Sequence, residues 1–123
     1  MPYLNDLIRD SGLNRLTSDV NRLDLTSQEP TTYAEATATY SLATKLSPSV
    51  GAPQLMAPNG RKVVIAALSG GTISTAGTAT HWAIVDTVNA RLLATDTLTA
   101  PVVTILGYTF SLSAFDIGIP DAV

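Results

Sequence analysis

The chain has 123 residues, seven Lys plus Arg against ten Asp plus Glu, and 46% hydrophobic residues. That length suits one domain with its own core, and a charged share of 14%, well below the ~25% usual in soluble domains, argues against a disordered tail. A net charge of −3 argues against general binding to phosphate backbones, and the absence of Cys removes disulfides, thiolate metal sites and cysteine nucleophiles together.

The first residues, Met1 to Asp6, lack the basic and apolar regions of a secretory signal. No apolar run approaches the ~18–20 residues that cross a bilayer, so a soluble, non-membrane chain is expected. Leu4, Leu7 and Ile8 sit at i, i+3 and i+4 and share one face of a short N-terminal helix, which Gly12 can end. Leu13, Leu16 and Val20 make at most a second weak turn. Residues 1–19 therefore read as a helical arm, and 20–123 as a β-sandwich domain.

From Val20 the period changes to two. Leu23 and Leu25 alternate with Arg22, Asp24 and Thr26 as a half-buried strand, ended at Glu29-Pro30. Ala34, Ala36, Ala38, Tyr40 and Leu42 alternate with polar residues and read as a strand whose small apolar side demands a close neighbour. Alanine also favours helices, which puts residues 32–38 at risk of being helical. Ser47 to Gly60, with three prolines and two glycines, reads as a loop carrying Leu55 and Met56, either tucked onto its own domain or clasping another subunit.

Val63 to Leu68 is apolar on both faces and is expected as a central strand, followed by a turn at Ser69-Gly70-Gly71 and an edge-like Thr72 to Thr75. Thr80 to Thr87 and Leu92 to Leu98 form a hairpin about Asn89-Ala90, since Asn tolerates positive φ. Val102 to Leu106 follows Pro101. Phe110, Leu112 and Ala114 lie on one face and Phe115, Ile117 and Ile119 on the other, a phase slip that predicts a bulge near Ala114-Phe115. About seven or eight short strands with regular turn signals indicate an antiparallel β-sandwich or small barrel.

Catalytic chemistry is sparse. His81 is the only His, and Asp86, five residues on, points to the opposite face of a regular strand. Ser69 lacks the spacing of a nucleophile elbow, and Gly70-Gly71-Thr72 lacks the Lys of a phosphate-binding loop. The acids form no calcium loop, although the hairpin can bring Asp86 and Asp96 together as a carboxylate pair. Arg61-Lys62 reads as a solvated strand end, and Trp82, among Ala83, Ile84 and Val85, as core. The expectation is a chain that is not an enzyme and has no cofactor and no metal, with Trp82 or Tyr108 as the platform if a glycan is bound.

Five segments together resemble small virion structural proteins of tailed bacteriophages. They are Tyr3–Leu13, Ser27–Thr37, Gly77–Asp86, Arg91–Thr95 and Ala114–Asp121. The resemblance implies an assembly protein, chiefly a capsid decoration or cement protein on the head surface, or alternatively a receptor- or glycan-binding module of the tail, neck or a fibre. It implies the major capsid protein or other virion proteins as partners, and a homo-oligomer, a trimer by the habit of shell proteins. Nucleic acid and membrane are not expected partners. Leu4, Leu7 and Ile8 on the arm and Leu55 and Met56 in the loop are the residues expected to contact a partner.

Overall fold

The computed structural model describes residues 6–55 and 60–119, and in the helix the side chains from residue 10 onward. Among the described residues there are nine strands, one α-helix and one π-helical turn, so the protein is mainly β and antiparallel with a short N-terminal helix. Among the described residues, no helix is long and apolar enough to cross a membrane. The chain divides into two compact units, each assembled from separated stretches: residues 1–19, 49–67 and 113–123 in one, 20–48 and 68–112 in the other.

In the first unit, helix α1 (Asp6–Asp19) accompanies a three-stranded sheet ordered β3 (Gln54–Leu55), β4 (Arg61–Ile65), β9 (Phe115–Ile119). The helix runs through Gly12 rather than ending there. A Cβ at Gly12 would lie 3.7 Å from Ile119 Cδ1, so a small residue lets the helix approach the sheet closely. Leu13 is buried, Thr17 Oγ1 donates to Gly51 O at 3.3 Å, and the Arg61 guanidinium pairs with Asp10 at 2.8 Å. The expected loop is part of this unit. Val50 bridges Ile65, and Gln54–Leu55 pairs with Lys62 and Arg61, because those stretches lie between the prolines and keep their N–H donors. The expected central strand is central here, but it stops at Ile65 and buries only Val63 and Ile65 completely. Leu68 starts a strand of the other sheet.

The second unit holds a six-stranded sheet in the order β7 (Arg91–Thr104), β6 (Gly77–Asp86), β1 (Arg22–Thr26), β2 (Ser41–Leu46), β5 (Leu68–Ile73), β8 (Thr109–Leu112). Strand β1 is the centre and is buried on both faces. On one, Leu23 faces Ile84, and Leu25 faces Trp82 and Ala43. On the other, Asp24 faces Ala83, and Ala36, Ala83 and Val85 pack together with Tyr33 and Leu92.

Ala36 belongs to the expected Ala34–Leu42 strand, most of which is helical instead, with a π-turn at Glu35–Thr39. Thr32-Tyr33-Ala34-Glu35 is a capping box. Thr32 Oγ1 accepts from Glu35 N–H at 3.1 Å, and Glu35 Oε1 accepts from the Thr31 N–H and hydroxyl, both at 2.8 Å. The small Ala36 side chain lets this turn sit directly on the sheet, and Tyr40 N–H closes the wide turn on Glu35 O.

Ser69-Gly70-Gly71 is not a turn but part of β5, bulged against β8, with Gly70 at φ 71°. Gly71 has no room for a side chain, since a Cβ there would run into the Phe110 ring. Thr72 lies in an inner strand, not at an edge. The phase slip near Ala114 is not a bulge either. At Ser113-Ala114 the chain leaves the six-stranded sheet for the three-stranded one.

Strands β7 and β8 are opposite edges of one sheet, yet only Ile105–Tyr108 connects them. Six flat strands would hold their edges about 24 Å apart. Five Cα steps reach at most about 18 Å, so the sheet must curl. Thr104 secures the curl: its buried hydroxyl lies 2.8 Å from Thr75 O and 3.2 Å from Gly77 O, at the β5–β6 connection.

Candidate interaction surface

Of the residues expected to contact a partner, Leu4 and Met56 lie outside the described residues. Leu7 and Ile8 are on the backbone of α1, and their side chains lie outside the described set as well. Leu55 is on the two-residue edge strand β3 and is 70% exposed. Its register with Arg61 holds it at the rim of the three-stranded sheet.

A larger apolar group, of which the sequence singles out only Tyr108, sits where β7 runs into β8. Thr104 turns inward, so alternation sends Val103 outward. The next residues form a tight turn, with Tyr108 N–H donating to Ile105 O at 3.1 Å and Gly107 at φ 91°, a conformation that favours glycine. Val103, Ile105, Leu106 and Tyr108 are each more than half exposed. Residues 97–115 contain no charge. The signal was present in the sequence as Ile-Leu-Gly-Tyr, a turn glycine flanked by large apolar residues, but it was read as the end of a strand.

Several charged groups of the six-stranded unit hold the fold. Arg22 and Asp24, two apart on one strand, share a face. Nε and Nη2 of Arg22 donate to the two oxygens of the fully buried Asp24 at 2.7 and 2.9 Å, and Nη2 also donates to Thr37 O and Thr44 Oγ1. The Asp24 hydrogen bond raises the Arg22 pKa. A shallow depression of about 480 Å³ is lined by Arg22, Thr44, Lys45, Leu46, Gly70 and Thr72. Its guanidinium is thus already committed.

Asp86 begins the β6–β7 hairpin. Its Oδ1 accepts from Val88 and Asn89 N–H at 2.9 and 3.3 Å, its Oδ2 from Asn89 Nδ2 at 2.7 Å, and Arg91 Nη2 lies 3.5 Å away. The Asn89 amide, then the two backbone N–H groups and Arg91, hold this carboxyl below its usual range. Asn89 therefore serves the expected hairpin through its side chain, and the left-handed residue is Ala90, at φ 54°. The register sets Asp86 against Arg91 and Asp96 against Trp82, so the two acids do not pair. His81 Nδ1 lies 2.9 Å from Thr80 Oγ1, and Trp82 is buried, which removes it as a stacking platform.

The tip at Val103–Tyr108 gathers four of the exposed large apolar side chains in one place, whereas Leu46, Leu55 and Val88 are exposed elsewhere along the chain. The chain matches no family model, no curated protein and no solved structure.

Proposed function

We propose that this chain is a non-enzymatic structural protein of a tailed-phage virion, a decoration or cement protein that binds and stabilises the head shell. The five segments that resemble such proteins support it. The observation that carries it is the placing of large apolar side chains outward at a turn tip and a sheet rim. Burying such side chains stabilises by ~1.5–3 kcal/mol each; single exposed ones are ordinary, but a contiguous group such as the one at the tip marks an interaction surface. Tyr108 at the tip favours a second reading, a receptor- or glycan-binding module of the tail, neck or a fibre, because an exposed aromatic ring stacks on sugars.

Quantitative mass spectrometry of purified heads and tails tests both. Hundreds of copies per head, with a raised shell melting temperature when the protein is added back, are expected for decoration. A few copies in the tail fraction, with glycan binding lost in Tyr108→Ala, would transfer the assignment to the second reading. Absence from both fractions would overturn both.

A further inference from the structure

We propose that β8 is a pairing edge for a second copy of this chain: the Thr109–Leu112 strands of two protomers run antiparallel across a two-fold axis, with Leu106 and Tyr108 of each tip packing beside the new ladder. A strand at a sheet edge turns alternate N–H and C=O groups outward with no ladder partner, and proteins ordinarily block such edges with charge, proline, bulges or shortness. Among the described residues, three of the four sheet edges carry such a block. Strand β7 carries Pro101 and a slip that leaves Leu98, Thr99, Ala100 and Pro101 opposite Thr80. Strand β9 carries Asp116, and β3 is two residues long. Strand β8, Thr-Phe-Ser-Leu, is four residues long and bulged against β5, but it has neither charge nor proline.

The strand also brings its own complement. An antiparallel pair of identical strands is symmetric, so one edge supplies both sides of an isologous contact. Thr109 and Ser111 are exposed, and hydroxyl pairs across strands are favourable. The adjoining tip adds roughly 400 Å² of apolar surface per copy. Together with the strand itself, that brings the total near the ~1,000 Å² at which specific interfaces begin. The inference deepens the assembly reading by naming a surface and a symmetry, two-fold rather than three-fold. It needs no virion to hold.

The test is the solution mass of the purified full chain by light scattering and sedimentation over a range of concentrations. The expected result is a two-copy mass that dissociates on dilution. Ser111→Lys, which sets like charges on facing edges, and Leu106→Ser with Tyr108→Ser should each raise the dissociation constant at least ~10-fold. Their melting should match that of the wild-type monomer, since all three side chains are exposed. Hydrogen exchange on the wild type is the second measurement, with β8 amides expected to gain protection as concentration rises. A one-copy or three-copy mass, unchanged pairing in Ser111→Lys, or concentration-independent exchange in β8 would overturn the proposal. So would a monomer whose β8 edge instead captures an extended peptide of another protein. A monomer that is nonetheless abundant on heads would remove this inference alone and leave the decoration reading standing.

Discussion

The two units treat charge in opposite ways. The unit with the six-stranded sheet buries Asp24 completely and Asp86 almost so, and surrounds each with donors. The unit with the three-stranded sheet keeps its pairs, Asp10 with Arg61 and Lys62 with Asp116, partly in solvent. A buried ion that loses its partner is left without water to replace it, whereas a surface ion is simply rehydrated. Ion pairs of similar length, 2.7 to 2.9 Å, should therefore differ severalfold in what their loss costs.

The largest effect should come from Arg22→Ala. It strands the Asp24 carboxylate and frees Thr37 O, and chemical denaturation should record a loss of ~3–5 kcal/mol. Replacing both partners by leucine should recover most of that loss, since no buried charge remains. If Arg22→Ala costs no more than the surface variants below, the contrast fails.

Asp86 should show itself through pH. Its folded pKa lies below the unfolded value, so its contribution is complete above the unfolded pKa and is lost as pH falls through the folded one. Glu35, lowered by the Thr31 N–H and hydroxyl, acts in the same direction. Melting temperature should decline as pH drops below about 4, and the decline should be shallower in Asp86→Asn. An identical decline in that variant would assign the acid sensitivity elsewhere. The smallest effects belong to Asp10→Ala and Asp116→Ala. Each is expected within ~1 kcal/mol of wild type, and the difference should shrink further in high salt.

The same contrast explains how much was legible in the sequence. Leu23 and Leu25 alternate with polar residues, so a strand could be read there, but it is buried on both faces rather than half-buried, because Asp24 and Thr26 are covered too; the hairpin after Asp86 carries turn chemistry and could be read from local pattern. Ala34 to Leu42 could not be settled by periodicity, because Ala and Thr alternate there whether the chain is helical or extended. The deciding signal was Thr32-x-x-Glu35, a cap that the alternation concealed. The Arg22–Asp24 pair was written as two neighbours on one strand face, but its burial depends on Ala36 arriving from another element. The apparent slip at Ala114 was sound as an observation of phase. Only the topology shows that it marks a change of sheet. The tip at Val103–Tyr108 is exposed because Thr104 is held inward by Thr75 and Gly77, a contact across 27 to 29 residues that no local pattern carries.

The alternation of the chain between the two units also sets an order of events. Helix α1 comes first in sequence, and its sheet neighbour β4 begins at Arg61, while β4 receives its second partner only with Phe115–Ile119. The unit that holds α1 is thus the one whose last strand comes later along the chain. Contacts this distant along the chain carry a high closure entropy and slow the search for the native pairing. Residues 20–48 and 68–112 have within themselves every strand that their own sheet requires, whereas the unit that holds the helix draws on segments from both ends of the chain.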